Sequence, residues 1–228
     1  MVVPLAIRRV NGKNDPVTGT EGIREVVLTF FPPSKIEPRV SLPRLYLRQP
    51  NKNDWREWAE LRAISRDFLV EWEPRWPDDA LTRAAFRRRL ARYAEDWSRD
   101  QGYSFLIYRR SDDALVGGIT IANVRRGVAQ CCTIGYWIGR PHARRGYMTE
   151  AVHGACSFCF DQLSLHRVEA ACLPRNEPSQ GVLRKAGFRE EGLAKKYLKI
   201  DGRWQDHVLF ALLREDFYPS FTDELKHF

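Results

Sequence analysis

Between residues 131 and 160 the apolar pattern changes period once. Residues 133–138 are β-branched and aromatic, which predicts a buried strand. Pro141 ends that run and Arg144-Arg145-Gly146 follows. From Tyr147 onward apolar residues recur with helical spacing at Met148, Ala151, Val152, Ala155, Phe158 and Cys159. The expectation is a strand, a basic glycine turn, then a helix. Upstream, Leu45-Tyr46-Leu47 reads as a first strand, and Asn53 or Asp54 can cap a helix carrying Trp55, Trp58, Ala59, Leu61, Arg62 and Ile64. Asp79 is the expected cap of a second helix ending near Trp97. Residues 103–108, 115–124 and 128–138 read as three successive strands, the first two joined by Ser111-Asp112-Asp113. Downstream, 166–173 alternates as a strand, and a helix from Asn176 stops at Gly187, a good C-terminal cap. Residues 193–200 and 204–213 flank Asp201-Gly202, a strong hairpin signal. This order predicts a mixed α/β (α+β) sheet.

Ahead of these elements, 11–22 is rich in Gly, Asn, Asp and Thr and reads as a loop, and 25–31 reads as a strand closed by Pro32-Pro33. Residues 1–40 are therefore taken as an extension, 41–217 as the main domain and 218–228 as a tail. A chain of 228 residues suffices for one sizeable core with an appendage. Hydrophobic content of 43% with seven tryptophans argues for a folded protein. No apolar run has membrane-spanning length, and the N-terminal apolar patch precedes its charges and lacks a small-residue cleavage site, so no signal peptide is read. Five cysteines, an odd number without framework spacing, point to reduced thiols and a cytoplasmic setting. The net charge of +8 favours an anionic partner: a phosphorylated cofactor, a nucleic acid or a ribonucleoprotein surface.

Candidate chemistry centres on the turn before Tyr147. The first turn of a helix has free N–H groups and the positive end of the dipole. Two arginines and a glycine there fit a phosphate cradle, and equally an ordinary strand-to-helix turn with solvated arginines. The segment from Phe68 to Pro77 gathers two tryptophans and two prolines; it reads as an aromatic pocket wall or as core packing. Arg83, Arg87, Arg88, Arg89 and Arg92 share a helix face, either a dock for a phosphate-rich partner or a solvated side. His153, Cys156 and Cys159 follow at i, i+3 and i+6, but no second ligand pair has zinc spacing, and small buried hydrophobes explain the cysteines. No metal is expected. No Ser/His/Asp triad, Walker loop or dinucleotide fingerprint is present.

The runs IGYWIGRPHARRGYMTEAV, NEPSQGVLRKAGF and EEGLAKKYLKIDGRWQDHVLFAL, with FLVEWEP and NVRRG before them, resemble the GCN5-related N-acetyltransferase superfamily. Within it they are most similar to the ribosomal-protein-alanine N-acetyltransferases. The resemblance covers about residues 43–216. It implies a mostly antiparallel splayed sheet flanked by helices and direct transfer of acetyl from acetyl-CoA to a primary amine in a ternary complex. It places the pantetheine arm along Tyr136, Trp137 and Ile138, and the pyrophosphate on Arg144, Arg145, Gly146, Tyr147, Met148 and Thr149. Ala143 and Met148 depart from the superfamily pattern, which has Gln or Arg at the first position and often Gly or Ala at the second. Two roles common in the superfamily fall on Thr133 and Leu183 and cannot be carried over. The ribosomal-protein type instead implies Glu191 as the base, Ser179 as the acid and Asn176 as a contact to the cofactor amides. Asn176 and Ser179 also suit a plain helix cap, and Glu190 competes with Glu191. Glu150 is a poor phosphate ligand and reads as structural, while Asp206 and His207 either shape the acceptor pocket or brace the hairpin.

The expected acceptor is the N-terminal amine of a protein, an alanine-starting ribosomal protein first, with ribosome association possible and no membrane role. Alternatives are a small amine (aminoglycoside, polyamine or amino acid) and a non-catalytic ribosome- or RNA-binding protein that keeps the fold. Acidic residues in the acceptor cleft would favour polycations. A narrow, neutral, aromatic cleft would favour a peptide.

Overall fold

A computed structural model describes residues 39–218, all within a unit spanning residues 36–228. The expected 25–31 strand, most of the 1–40 extension and the tail from 219 onward lie outside the described residues. The elements are β1 (Arg39–Ser41), β2 (Leu45–Arg48), α1 (Trp55–Ile64), α2 (Arg66–Leu69), α3 (Arg83–Ser98), β3 (Tyr103–Arg109), β4 (Leu115–Arg125), β5 (Cys131–Ile138), α4 (Tyr147–Ser157), β6 (Arg167–Cys172), α5 (Glu177–Lys185), β7 (Arg189–Ile200), β8 (Arg203–Leu213) and α6 (Arg214–Phe217).

The eight strands form one sheet in the order β1-β2-β3-β4-β5-β6-β8-β7. Every neighbouring pair is antiparallel except β5 with β6. Alternate residues of the strands face opposite layers. Phe105, Ile119, Ile121 and Ile134 pack with Ala151, Val152 and Ala155 of α4 and Leu183 of α5. On the other face Leu106 and Tyr108 pack with Trp58 and Leu61 of α1 and Phe86 of α3. Each of the buried Leu, Ile, Val and Phe side chains among them contributes about 1.5–3 kcal/mol of transfer free energy. Leu183, in the position of a common superfamily acid, is thus a core residue.

Several local expectations change. β1 is a strand that no pattern announced, because three residues are too few to show a period. Asp79 does not cap α3: Thr82 does, its Oγ1 accepting from Ala85 N at 3.2 Å, while Asp79 pairs with Arg88 along the helix. Asn51 rather than Asn53 or Asp54 caps the turn into α1; its side chain accepts from Asn53 N, and the Asp54 carboxylate accepts from Asn51 N at 2.7 Å. β7 begins at Arg189, four residues before the expected start, and carries two bulges that hide its alternation. α4 runs into one π turn, Phe158–Gln162, with Leu163 N bonded to Phe158 O. Phe158, Cys159 and Phe160 are all buried there. A 3.6-residue period cannot put three consecutive side chains into one core, and the wider turn does. The hairpin at Asp201-Gly202 forms as expected, with φ of 45° and 76° at its two central residues, the signature of a type I′ turn.

The sheet forks at its centre. β5 and β6 pair through Cys131↔Arg167, Cys132↔Val168 and Thr133↔Glu169, and pairing stops there although both strands continue. β5 stays joined to β4 up to Ile138, and β6 stays joined to β8 up to Cys172. The open arm of the fork is therefore bounded by residues 134–138 on one side and 170–172 on the other.

Candidate active site

The turn that follows β5 lies beyond the open end of the fork. Arg144 and Gly146 both have positive φ, 60° and 75°, with Arg145 between them. Such alternation turns successive N–H groups to one side. Gly146 precedes the first turn of α4 with no side-chain cap, so its donors are free for an anion. The turn is held by Arg44, the residue before β2. Arg44 Nε donates to Glu150 Oε2 at 2.6 Å, Arg44 N donates to Oε1 at 2.8 Å, and Arg44 Nη1 donates to the Arg145 carbonyl at 3.1 Å. Glu150 is structural, as its charge suggested. His142 in the same segment is half-buried, and its Nδ1 has no partner among the described residues. Burial, with Arg109 and Arg145 nearby, lowers its pKa.

Across the fork the α5 N-terminus meets β5. Asn176 Oδ1 accepts from Ser179 N at 3.1 Å and caps the helix. Ser179 Oγ lies 2.9 Å from Tyr136 Oη, which also donates to the Ser179 carbonyl at 3.2 Å. Burial raises the Tyr136 pKa, so the phenol stays protonated. Cys172, at the end of β6, is pushed up to about 11 by burial, partly offset by a hydrogen bond with Ser179. The structure thus brings Tyr136, Asn176, Ser179 and Cys172 together around the open arm.

Glu191 sits elsewhere. It makes a two-pronged ion pair with Arg167, Nη1 to Oε1 at 2.8 Å and Nη2 to Oε2, beside the paired base of the fork. Arg167 Nε also donates to Glu169. The Arg167 hydrogen bonds hold the Glu191 carboxyl below its usual range. Glu190 is separate from it, paired with Arg184 of α5. Thr133, at the apex, donates to Ala122 O and accepts from Asn123. Asp206 accepts from Lys196 N at 2.8 Å and braces a β7 bulge; His207 is buried, its Nδ1 3.0 Å from Gln205 O.

On the sheet face opposite α4 there is a cleft of about 820 Å³, floored by Gly118, Gly135 and Trp137 and walled by α3 and the loop before it. A Cβ built on Gly135 would meet nothing within 4 Å, so the floor at mid-β5 is open. Arg62 crosses this cleft, 7% exposed. It donates to Glu73 at 3.2 and 2.5 Å and stacks on Trp76 (4.4 Å) and Trp137 (4.9 Å). Trp76 Nε1 donates to the same carboxylate at 2.7 Å. The aromatic run at 68–77 is thus a pocket wall. The β7–β8 tip is tied to it by Asp201 N to Glu73 O at 3.1 Å, and Arg175 reaches both Gln205 and the Glu71 carbonyl. Sequence reasoning missed Arg44, Arg62, Glu73 and Arg175. Of these only Glu73 had a local signal, the Trp-Glu-Pro-Arg-Trp-Pro run around it.

Comparison with known proteins gives the family. Residues 44–189 match the family model described as an acetyltransferase (GNAT) domain. The chain belongs to the GNAT acetyltransferase family. A probable N-acetyltransferase YjcK of Bacillus subtilis is 39% identical over 172 residues, which is 75% of this chain and 95% of that protein. The [ribosomal protein uS5]-alanine N-acetyltransferase of Escherichia coli is 33% identical over 182 residues, 80% and 94% of the two chains. The structure of Mycobacterium smegmatis RimJ in complex with CoA-disulfide superposes with a TM-score of 0.74 at 32% identity, covering 82% and 91%.

As a GNAT acetyltransferase, the protein has the mostly antiparallel splayed sheet expected of it, and the fork between β5 and β6 is the splay. Its described residues gather no group of three His, Cys, Asp or Glu side chains suited to a metal. Cys156 is buried, Cys159 packs against Cys132 with sulfurs 3.7 Å apart, and His153 stacks on Phe217. No described helix is long and apolar enough to cross a membrane.

Proposed function

We propose that this GNAT acetyltransferase moves acetyl from acetyl-CoA to the α-amine of a protein N-terminus in a ternary complex, with an alanine-starting ribosomal protein as first acceptor. The observation that carries the reading is the two-sided site. The uncapped turn of α4 with the fork's open arm fits pyrophosphate and pantetheine. The glycine floor of the outer cleft lets an amine approach β5 from the other face. Arg144, Arg145, Gly146, Tyr147, Met148 and Thr149 take the phosphates. The backbone of Tyr136, Trp137 and Ile138 lines the pantetheine arm, with Asn176 across from it. The 33% identity to a uS5-alanine N-acetyltransferase supports the acceptor class.

In the reaction the amine nitrogen bonds to the acetyl carbonyl carbon, the C–S bond breaks, and the thiolate leaves with the electron pair. Ser179, hydrogen-bonded to Tyr136, gives a proton to the thiolate and recovers it from solvent. Glu191 takes the amine proton through water. A carboxylate held low by Arg167 is a weak base, but an α-ammonium with a pKa of about 7.7–8 needs no strong one. A lysine side chain at about 10.4 would.

The cleft argues against the polycation alternative. Its two lining carboxylates, Glu73 and Asp79, are both paired with arginines, which leaves no acidic wall for aminoglycosides or polyamines. A cytoplasmic location follows from a ribosomal acceptor. The deciding experiment is release of CoA thiol with a panel of acceptors: peptides starting with Ala, Ser or Met, an N-terminally blocked lysine peptide, polyamines and aminoglycosides. Release with free Ala- or Ser-starting peptides supports the reading. Release with small amines alone overturns the acceptor, and release with none while acetyl-CoA binds overturns the activity.

A further inference from the structure

We infer that the acceptor cleft selects for negative charge: the preferred acceptor is a polypeptide whose residues just after the N-terminal amine are acidic. This deepens the proposed function and rests on it. Five arginines line the cleft (Arg62, Arg75, Arg88, Arg89 and Arg92) against two carboxylates, Glu73 and Asp79. Arg62 and Arg88 neutralise those two. The other three meet no carboxylate among the described residues. Arg89 is half-buried, lies over the Trp58 ring at 5.3 Å and donates to Tyr93 Oη at 3.2 Å. Arg92 is exposed and sits beside the Tyr93 ring at 5.7 Å. Arg75 is exposed on the opposite wall and holds no hydrogen bond or ion pair among the described residues.

The placement gives the charge a direction. The amine must reach the glycine floor at Gly135 in the neutral form, and the chain behind it must leave past α3 and the 73–81 loop. Three unneutralised guanidinium groups stand on that exit. Carboxylates two to six residues behind the amine would meet them, whereas lysines there would be repelled. The same field disfavours protonation of an amine inside the cleft, and so favours the form that attacks. Tryptophan and tyrosine faces supply apolar contact without a fixed side-chain identity, so charge rather than shape discriminates.

The test is kcat/KM for three Ala-starting peptides that differ only at positions 2–6, made acidic, neutral or basic, read by thiol release at low and high salt. The acidic peptide should exceed the basic one by about tenfold at low salt, and the ratio should shrink at high salt, as screened charge pairs do. In the R75E/R92E double variant the ratio should fall or invert. Those side chains hold no buried contact, and unchanged acetyl-CoA affinity with an unchanged melting temperature checks that the variant is folded. Equal use of the three peptides, or preference for the basic one, overturns the inference while leaving peptide acetylation standing. Transfer to no peptide removes both. Salt-sensitive binding of a short single-stranded RNA that blocks transfer to the acidic peptide would assign the arginines to nucleic acid and overturn it as well.

Discussion

Arg44 grips Glu150 across 106 residues of sequence, with both its main-chain N–H and its guanidinium on the one carboxylate. The pair solves a local conflict. Glu150 stands in the first turn of α4, where its charge suits the helix dipole but opposes a bound phosphate. Arg44 neutralises it and at the same time pins the Arg145 carbonyl. Arg44→Ala should therefore raise the KM for acetyl-CoA by about three- to tenfold, on the order of 1 kcal/mol, with kcat little changed. Glu150→Gln should cost less, and the double variant should lie near Glu150→Gln rather than at the sum, because the repulsive carboxylate is gone. Titration of acetyl-CoA with the four proteins of the cycle checks this.

Gly146 carries the turn's sharpest requirement, a left-handed φ of 75° with Arg44 Nη2 3.4 Å from where a Cβ would stand. Gly146→Ala should destabilise the fold by about 1–2 kcal/mol and weaken acetyl-CoA binding in addition. The binding loss should exceed that of an alanine at Gly181, where nothing lies within 4 Å of a Cβ. Thermal melts with and without acetyl-CoA separate the two costs.

The cage around Arg62 makes a stability prediction. The guanidinium is almost fully buried, and among the described residues Glu73 is its one carboxylate partner. Glu73→Ala leaves a buried charge unpaired and should cost about 2–4 kcal/mol, more than Arg62→Met, which keeps the apolar packing against the three tryptophans. Denaturant melts of the two single variants and the double variant test the order. The double variant should sit close to Arg62→Met.

Much of this architecture was legible from the chain. α4 and β6 declared themselves by a period, because burial on one face forces the repeat, whereas the β7–β8 hairpin was legible from its Asp201-Gly202 turn. The glycine turn and the Asn-x-x-Ser run were visible because their chemistry is local. What stayed hidden was long-range. No local rule joins Arg44 to Glu150, or Tyr136 to Ser179. The fork itself depends on where β5 and β6 stop pairing, and neither strand's own sequence marks Thr133 as the last rung. Trp137 showed the limit of reading a strand one residue at a time. Its backbone lies along the rim of the fork, while its side chain turns to the outer cleft and stacks on Arg62.

His142 gives a pH prediction with a definite sign. Its pKa is lowered by burial and by the arginines around it, so the folded state binds the proton less well than the unfolded state does. Stability is then complete above the ordinary value of about 6.5 and falls as pH drops below it. Melting temperatures recorded from pH 8 to pH 5 should decline through that window. His142→Gln should flatten the decline while leaving the high-pH plateau close to its original height. An equally steep decline in the variant would place the titrating group elsewhere.

The proton path makes the last prediction. Ser179 touches Tyr136 at the fork's open arm, whereas Glu191 is bound to Arg167 near its base, so the two proposed proton-transfer groups are held by different parts of the fold. Ser179→Ala removes the donor to the leaving thiolate. It should lower kcat by about 10²-fold with the KM for acetyl-CoA within a few fold, since general acids contribute about 10²–10⁴. Tyr136→Phe keeps Ser179 but frees its hydroxyl, and should lower kcat less. Glu191→Gln should slow turnover modestly, about tenfold, because a base of depressed pKa contributes little beyond what water supplies. A thioester with a more acidic leaving thiol supplies the discriminating readout. It should rescue Ser179→Ala, whose defect is in protonating the leaving group, and should not rescue Glu191→Gln, whose defect is at the amine. Rescue of both, or of neither, would remove the assignment of acid to Ser179 and base to Glu191.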